Sequence, residues 1–208
     1  MKISTIFLLI LLLSVIVVDN NRASFAVDTE ITTPQSIARE AARQKQLAQE
    51  MDKLERQKQL PAIVSVFRKW TSQERAHRLA YLCYEATLDT PFKPIDLAEI
   101  ALAETGGHGL SGKAVSSRGA VGVWQLMPVR AKSHGYEPAE MNRDDKCAAA
   151  AVKELKTKLE MADGDLALAK RLYCGTGKQA RAYDVKIRQY RREILGRMAK
   201  IEAASQGS

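Results

Sequence analysis

Most of the chain carries apolar residues at the spacing of an α-helix, and no stretch shows the strict alternation of a half-buried β-strand. Residues 95–104 (IDLAEIALAE) are mostly apolar and end in a carboxylate, Glu104. A loop rich in Gly and Ser follows, and another helix is predicted to start near residues 122–125. Residues 144–161 and 180–200 also have helical composition. The pattern therefore predicts an all-α fold.

Capping residues and prolines in the sequence predict where two of the helices begin. Thr71 and Glu74 match a capping box, so a helix is predicted from there to about residue 87. Pro94 suits the first position of the helix that ends at Glu104, because proline is tolerated where the backbone N–H has no helical partner.

A charged helix is predicted over residues 36–60, and Pro61 is expected to end it. Its apolar stripe is thin and consists of Leu47, Met51 and Leu54. Two interpretations stay open: a solvated helix that packs loosely on the domain, or an arm that binds a partner or forms a coiled coil.

The N-terminal residues resemble a secretory leader. Residues 6–18 are apolar except for one Ser, a run shorter than the roughly 20 residues of a membrane span. Ser24 and Ala26 suit the −3 and −1 positions of a cleavage site, so cleavage is expected after Ala26. This predicts a periplasmic protein; the alternative is an uncleaved membrane anchor.

The net charge of the chain indicates what kind of partner it binds. The 208 residues include 32 Lys and Arg against 24 Asp and Glu, a formal charge of +8. Outside the cytosol, such a charge favours an anionic cell wall or membrane surface, and no nucleic acid is expected. The predicted organisation is a signal peptide, a linker with the charged helix, one domain and a tail: residues 1–26, 27–61, 62–200 and 201–208.

Glu104 is the first candidate for chemistry. An apolar helix disfavours the charged form of a carboxyl and raises its pKa. A carboxylic acid that is neutral near pH 7 can protonate a leaving oxygen. The alternative is a surface Glu near a helix C-terminus, a position that is electrostatically unfavourable for an anion.

Three separate motifs carry a resemblance to a known family. They are Ala103-Glu104-Thr105, residues 116–128 (SSRGAVGVWQLMP) and residues 172–175 (LYCG). In order and spacing they resemble the lytic transglycosylases, which cleave the glycan strands of peptidoglycan. The resemblance implies a lysozyme-like (goose-type) helical domain, here with an N-terminal helical extension.

The resemblance also implies roles for single residues. Glu104 would be the sole catalytic acid and base, Ser116 and Gln125 would line the substrate groove, and Tyr173 would support Glu104 and the transition state. The expected reaction cleaves the MurNAc–GlcNAc β-1,4 bond and leaves a 1,6-anhydro-MurNAc end. No cofactor is expected, and no metal, since the three histidines lack ligand spacing with the cysteines: His77, His108 and His134.

The chain departs from the family pattern at three positions. Thr105 replaces the usual Ser and keeps a hydroxyl. Trp124 replaces Met, and either a core position or a sugar-stacking ring in the substrate groove would suit it. Cys174 replaces the Asn beside Tyr173, which removes an amide near the site.

The cysteines are similar in placement to those of small transglycosylases that accompany secretion, pilus and conjugation systems. That similarity implies a Cys83–Cys147 disulfide with Cys174 free, and the rival pairing is Cys147–Cys174. Machinery of this kind would be a partner besides the glycan strands.

Two other functions stay open at this point. One is a hydrolytic muramidase, in which water attacks instead of a sugar hydroxyl. The other is a non-catalytic peptidoglycan-binding or assembly protein of an envelope machine, which the substitution at Cys174 favours. A basic C-terminal segment is either a solvated helix face or a surface for anionic stem peptides; its residues are Lys178, Arg181, Lys186, Arg188, Arg191 and Arg192.

Overall fold

The computed structural model describes residues 33–207. Within this range the chain forms seven α-helices: α1 Pro34–Phe67, α2 Gln73–Thr87, α3 Pro94–Thr105, α4 Pro128–Ser133, α5 Asp144–Met161, α6 Leu166–Cys174 and α7 Lys178–Gln206. Two 3-10 helices, Gly106–His108 and Pro138–Asn142, complete the helical elements. The part of the chain described here holds no strand, so the predicted all-α fold is confirmed.

The chain divides into two compact units, residues 1–42 and 43–208. The described part of the first unit is residues 33–42, which contain the first turns of α1. The predicted leader, residues 1–26, lies outside the described residues. None of the helices between residues 33 and 207 combines the length and apolar character needed to cross a membrane.

Helix α3 is the centre of the second unit. Eleven of its twelve residues are buried, and Glu104 is the exception. The apolar composition accounts for this burial, since side chains such as Leu97 and Ile100 have no exposed surface. Helices α2, α5 and α7 pack against α3, and α6 packs against α5 and α7. Glu104 is therefore delivered by the most buried helix of the domain.

Pro61 does not end the first helix, contrary to the sequence prediction. Helix α1 continues through it to Phe67, and residues 62–64, 66 and 67 are buried. An internal proline costs about 3 kcal/mol or more. Burial of each large apolar side chain contributes about 1.5–3 kcal/mol, so packing of this last segment offsets the cost. Upstream, the stripe of Leu47, Met51 and Leu54 is exposed, and its role as a partner-binding arm stays a prediction.

Two local predictions differ from the structure. The N-cap of α2 is Ser72, one residue after Thr71, and its hydroxyl accepts a hydrogen bond from the Arg75 amide at 3.3 Å. Helix α7 continues to Gln206, so most of the predicted tail is helical.

Residues 122–125 form turns and not the predicted helix. Val121 makes isolated bridges to Val115 and to Leu126. Gly122 has a φ of +85°, and a Cβ at this position would lie 2.1 Å from the Met141 carbonyl oxygen. The close approach of the backbone to residue 141 thus requires glycine and prevents a helix. We call residues 114–126, which contain these bridges, the bridged loop.

Candidate active site

Glu104 is one residue from the end of α3, and its carboxyl is mostly removed from solvent. Burial raises the pKa of Glu104 to about 7, against the opposing influences of the Tyr183 hydroxyl and the Lys186 ammonium. The charged group with the largest influence is thus a cation and not a second carboxylate. A carboxyl in this state is present in both protonated and ionised forms near neutral pH, as a group that acts as acid and then as base requires.

Tyr183 is a second tyrosine at this site, which the sequence analysis missed. It is 6% exposed, and its hydroxyl faces the Glu104 carboxyl. Within residues 33–207 this hydroxyl has no hydrogen bond of ordinary length. Its burial follows from the apolar spacing of Ala180, Tyr183 and Ile187 on α7. From the sequence, that spacing predicts that Tyr183 faces the core. It does not show which residue the Tyr183 hydroxyl faces.

Tyr173 lies at the end of α6 and close to the same carboxyl. Burial, and after it the charge of Glu104, raise the pKa of Tyr173 well above its usual value, so the phenol stays protonated. Its hydroxyl donates a hydrogen bond to the Trp124 carbonyl oxygen at 2.9 Å. The structure therefore brings Tyr173 to the site that sequence predicted, with its hydrogen bond directed to the bridged loop.

Thr105 connects α3 to the bridged loop. Its hydroxyl donates to the Val123 carbonyl oxygen at 2.8 Å and is 3.3 Å from the Ala101 carbonyl oxygen. The residue is fully buried. The hydroxyl kept at this position fastens the residue after Glu104 to the loop that carries Gln125.

Ser116 and Gln125 are half-buried and hold the shape of the bridged loop. The Ser116 hydroxyl accepts a hydrogen bond from the Ala120 amide at 3.0 Å. The side-chain amide of Gln125 donates to the carbonyl oxygens of Gly122 at 2.8 Å and Ala114 at 3.2 Å. Gln125 also has a φ of +51°, a strained conformation for a residue with a side chain. Their predicted contact with substrate stays a prediction.

Trp124 is a core residue, and its interpretation as a sugar-stacking ring is wrong. The side chain has no exposed surface. Its indole N–H donates to the Leu97 carbonyl oxygen at 2.9 Å, in the middle of α3. A sugar could contact the ring only after this part of the core had opened. Trp124 therefore connects the bridged loop to α3 within the core.

The three cysteines are free thiols, and the described residues contain no disulfide, so the predicted Cys83–Cys147 pair is not formed in this structure. Cys83 and Cys147 are buried, whereas Cys174 is exposed. The Cys147 sulfur packs against the bridged loop, 3.9 Å from the Val121 carbonyl oxygen. It would also lie 2.7 Å from a Cβ at Gly122, so the loop occupies the space beside this sulfur.

The loop after Glu104 is fastened by Arg75. Its guanidinium donates to the Leu110 carbonyl oxygen at 2.7 and 2.9 Å. The same group binds both carboxylate oxygens of Asp144, at 2.9 and 3.0 Å. This pairing gives Asp144 a structural role. The adjacent Asp145 pairs with Arg143 at 3.0 Å on the surface.

The basic C-terminal segment is only partly a free surface. Arg188 pairs with Asp184 on the same helix, and Arg191 binds two buried carboxylates of α3. Lys186 is exposed and lies close enough to Glu104 to lower its pKa. Between residues 33 and 207 no group of His, Cys, Asp and Glu side chains could hold a metal ion.

Comparison with known families decides the class of this domain. Residues 91–192 match the sequence model described as the transglycosylase SLT domain. This segment belongs to the lytic transglycosylase family. The matched segment includes Glu104, the bridged loop and both tyrosines, so the resemblance read from three motifs is confirmed at the level of the family. Searches among curated proteins and among solved structures give no match. An SLT domain implies peptidoglycan as the substrate.

Proposed function

We propose that this protein cleaves the MurNAc–GlcNAc β-1,4 bond of peptidoglycan and forms a 1,6-anhydro-MurNAc end, with Glu104 as the single acid and base. The observation that carries the proposal is the state of Glu104. Its carboxyl lies at the end of a buried helix, faces the Tyr183 hydroxyl, and has a pKa of about 7. One group with this pKa can give a proton and later take one back at neutral pH.

In the first step, protonated Glu104 gives its proton to the glycosidic oxygen while the bond from that oxygen to C1 of MurNAc breaks. Positive charge develops at C1, and the N-acetyl group of the same sugar stabilises it. Glu104 is then a carboxylate. The hydroxyl of Tyr183 faces it and can donate a hydrogen bond to it, which favours the ionised form at this stage.

In the second step, the Glu104 carboxylate takes the proton of the C6 hydroxyl of the same sugar, and O6 forms a bond to C1. The 1,6-anhydro ring closes, Glu104 is protonated again, and no water is consumed. Ionised Glu104 has Lys186 as its main charged neighbour, and burial disfavours the carboxylate, so the proton returns readily near neutral pH.

The test uses purified sacculi digested by the parent protein and by Glu104→Gln. We expect the parent to release muropeptides with anhydro ends, which mass spectrometry detects. The rate of Glu104→Gln should be at least about 100-fold lower, since a general acid contributes roughly 10²–10⁴-fold. Glu160→Gln is the matched control, because Glu160 is exposed on α5.

The remaining outcomes separate the alternatives. Reducing ends in place of anhydro ends would mean that water attacks, as in a hydrolytic muramidase. Equal digestion by the parent and by Glu104→Gln would reject Glu104 as the acid. Binding to sacculi without any release of muropeptides would make the protein a wall-binding component.

We also propose that the protein acts in the periplasm alongside envelope-spanning machinery. The support is in the sequence: an apolar leader, a cleavage pattern that ends at Ala26, and a net positive charge. Fractionation of cells that produce the full chain tests the location, and recovery of the mature protein from the cytosol would contradict it.

A further inference from the structure

A cluster of four charged side chains, three of them buried, joins the helices that carry Glu104 and the two tyrosines. Asp96 and Glu99 lie on α3, Lys170 on α6 and Arg191 on α7. The Lys170 Nζ atom is 2.6 Å from Asp96 Oδ1 and 2.5 Å from Glu99 Oε1. The Arg191 Nε atom is 2.9 Å from Glu99 Oε2, and the guanidinium also binds Asp96. We call these four residues the ion cluster.

The ion cluster is neutral as a whole and largely dry. Glu99 has no exposed surface, and Asp96 and Lys170 are also buried. Burial raises the pKa of Glu99, while Lys170 and Arg191 oppose that effect. Burying three charged side chains is costly, and apolar side chains of similar volume would often stabilise a core as well. The cluster fixes where its side chains lie, because each cation is held by two carboxylates of α3.

This arrangement matters most for the position of α6 relative to α3. Helix α6 packs against α5 and α7 and is not among the close neighbours of α3. The long side chain of Lys170 reaches the two α3 carboxylates. Tyr173 lies three residues after Lys170, so both side chains are on the same side of α6. Lys170 thus links the side of α6 that carries Tyr173 to α3.

The connection between α6 and α7 does not replace this contact. It contains Gly175 and Gly177, with φ values of +117° and +85°. Glycine at both positions gives the connection wide conformational freedom. Arg191 adds an ionic contact between α3 and α7, the helix that carries Tyr183, which also packs directly against α3.

We propose that Lys170 and Arg191 are positioning residues, which hold Tyr173 and Tyr183 against Glu104 through the ion cluster. Neither cation touches Glu104 in this arrangement. Loss of the Lys170 contact lets the end of α6 move from α3, admits water to Glu104, and misplaces both hydroxyls. The consequence for catalysis rests on the proposed function, whereas the consequence for the ionisation of Glu104 does not.

The main test variant is the double substitution Lys170→Met and Glu99→Gln. Lys170→Met alone would leave an excess of negative charge in the core, and the second change keeps the cluster neutral. Asp96 and Arg191 stay paired in the double variant. Lys156→Met is the matched control, because Lys156 is exposed on α5. Arg191→Lys is a milder second variant at a partly exposed position, and it keeps the charge but loses the guanidinium fork.

Two readouts separate positioning from a general loss of stability. Steady-state kinetics on soluble glycan strands without stem peptides give kcat and KM. A carbon-13 NMR titration of the carboxyl groups gives the pKa of Glu104, with Glu104→Gln used to assign its signal. Circular dichroism checks that each variant is folded.

For the double variant we expect kcat to fall about 10–100-fold, because displacement of groups at an active site by about 1 Å has effects of this size. KM should stay within about threefold, since the strand-binding residues are unchanged. The Glu104 midpoint should move at least about one pH unit lower, because burial is the largest influence on this pKa and its loss outweighs the loss of the Tyr183 hydroxyl. Arg191→Lys should show smaller changes in the same directions.

A folded double variant that keeps the parent values of kcat and of the Glu104 midpoint would overturn the inference. If that variant does not fold, an unchanged Glu104 midpoint in Arg191→Lys would overturn it equally. If the parent protein cuts no strand, the proposed function fails. The NMR titration then still decides whether the ion cluster controls the environment of Glu104.

Discussion

The hydroxyl of Thr105 donates a hydrogen bond to the carbonyl oxygen of Val123, 2.8 Å away and 18 residues further along the chain. Thr105 directly follows Glu104, and Val123 belongs to the bridged loop that carries Gln125. This buried hydrogen bond therefore connects the segment that carries the proposed acid to the loop that carries the predicted groove residue. Ser, the residue usual in the family, could make the same bond.

We expect Thr105→Val to lower the free energy of unfolding by about 1–3 kcal/mol, because it leaves the Val123 carbonyl unpaired within the core. Thr105→Ser keeps the hydroxyl and should lose less. Urea denaturation of the two variants measures the difference. Equal stability of the two variants would show that the hydrogen bond contributes little.

Tyr183→Phe should raise the pKa of Glu104 above that of the parent. The Tyr183 hydroxyl lowers this pKa, because it favours the ionised carboxylate, and phenylalanine cannot do so. The alkaline limb of the pH profile of kcat/KM, where the acid form of Glu104 is lost, should therefore move to higher pH. Tyr81→Phe, at an exposed position on α2, is the control. A limb that moves to lower pH would contradict this arrangement.

The free energy of unfolding of the parent protein should depend on pH through the ionisation of Glu104. The unfolded carboxyl releases its proton near pH 4.5 and the folded one near pH 7. Between these values the folded state binds more protons, so the free energy of unfolding should fall as pH rises, by about 1.4 kcal/mol per pH unit. Glu104→Gln lacks this contribution. Relative to the parent, its stability should rise by on the order of 3 kcal/mol from pH 4.5 to 7.

Chemical denaturation of the parent and Glu104→Gln at a series of pH values tests this expectation. Glu160→Gln should follow the parent curve. A difference between the parent and Glu104→Gln that stays constant across the window would mean that the folded Glu104 has an ordinary pKa.

The thiols should differ sharply in reactivity. Cys174 is exposed, whereas burial raises the pKa of Cys147 to about 12 and also raises that of Cys83. Thiolate is the reactive form, so only Cys174 should react quickly in the native protein, and Cys174→Ser should abolish that phase. Unfolding without reductant should expose three thiols. One thiol after unfolding would instead reveal a disulfide between the other two.

Several elements could be read from sequence because local chemistry sets them. Residues 144–161 were predicted as a helix with the limits that α5 has, and Pro94 begins α3 as expected. Helix formers, caps and prolines act within a few residues of themselves. Pro61 was misjudged because burial of residues 62–67 outweighs its local cost, and that burial depends on distant helices.

The sequence by itself determined the all-α class, the family, and the choice of Glu104 and Tyr173, since composition and short motifs carry that information. Only the tertiary structure decided that Trp124 lies in the core, that Tyr183 faces Glu104, and that Lys170 reaches α3. These relationships join residues far apart in the chain, for instance the 74 positions between Asp96 and Lys170. They arise from the packing of whole helices, which no local pattern specifies.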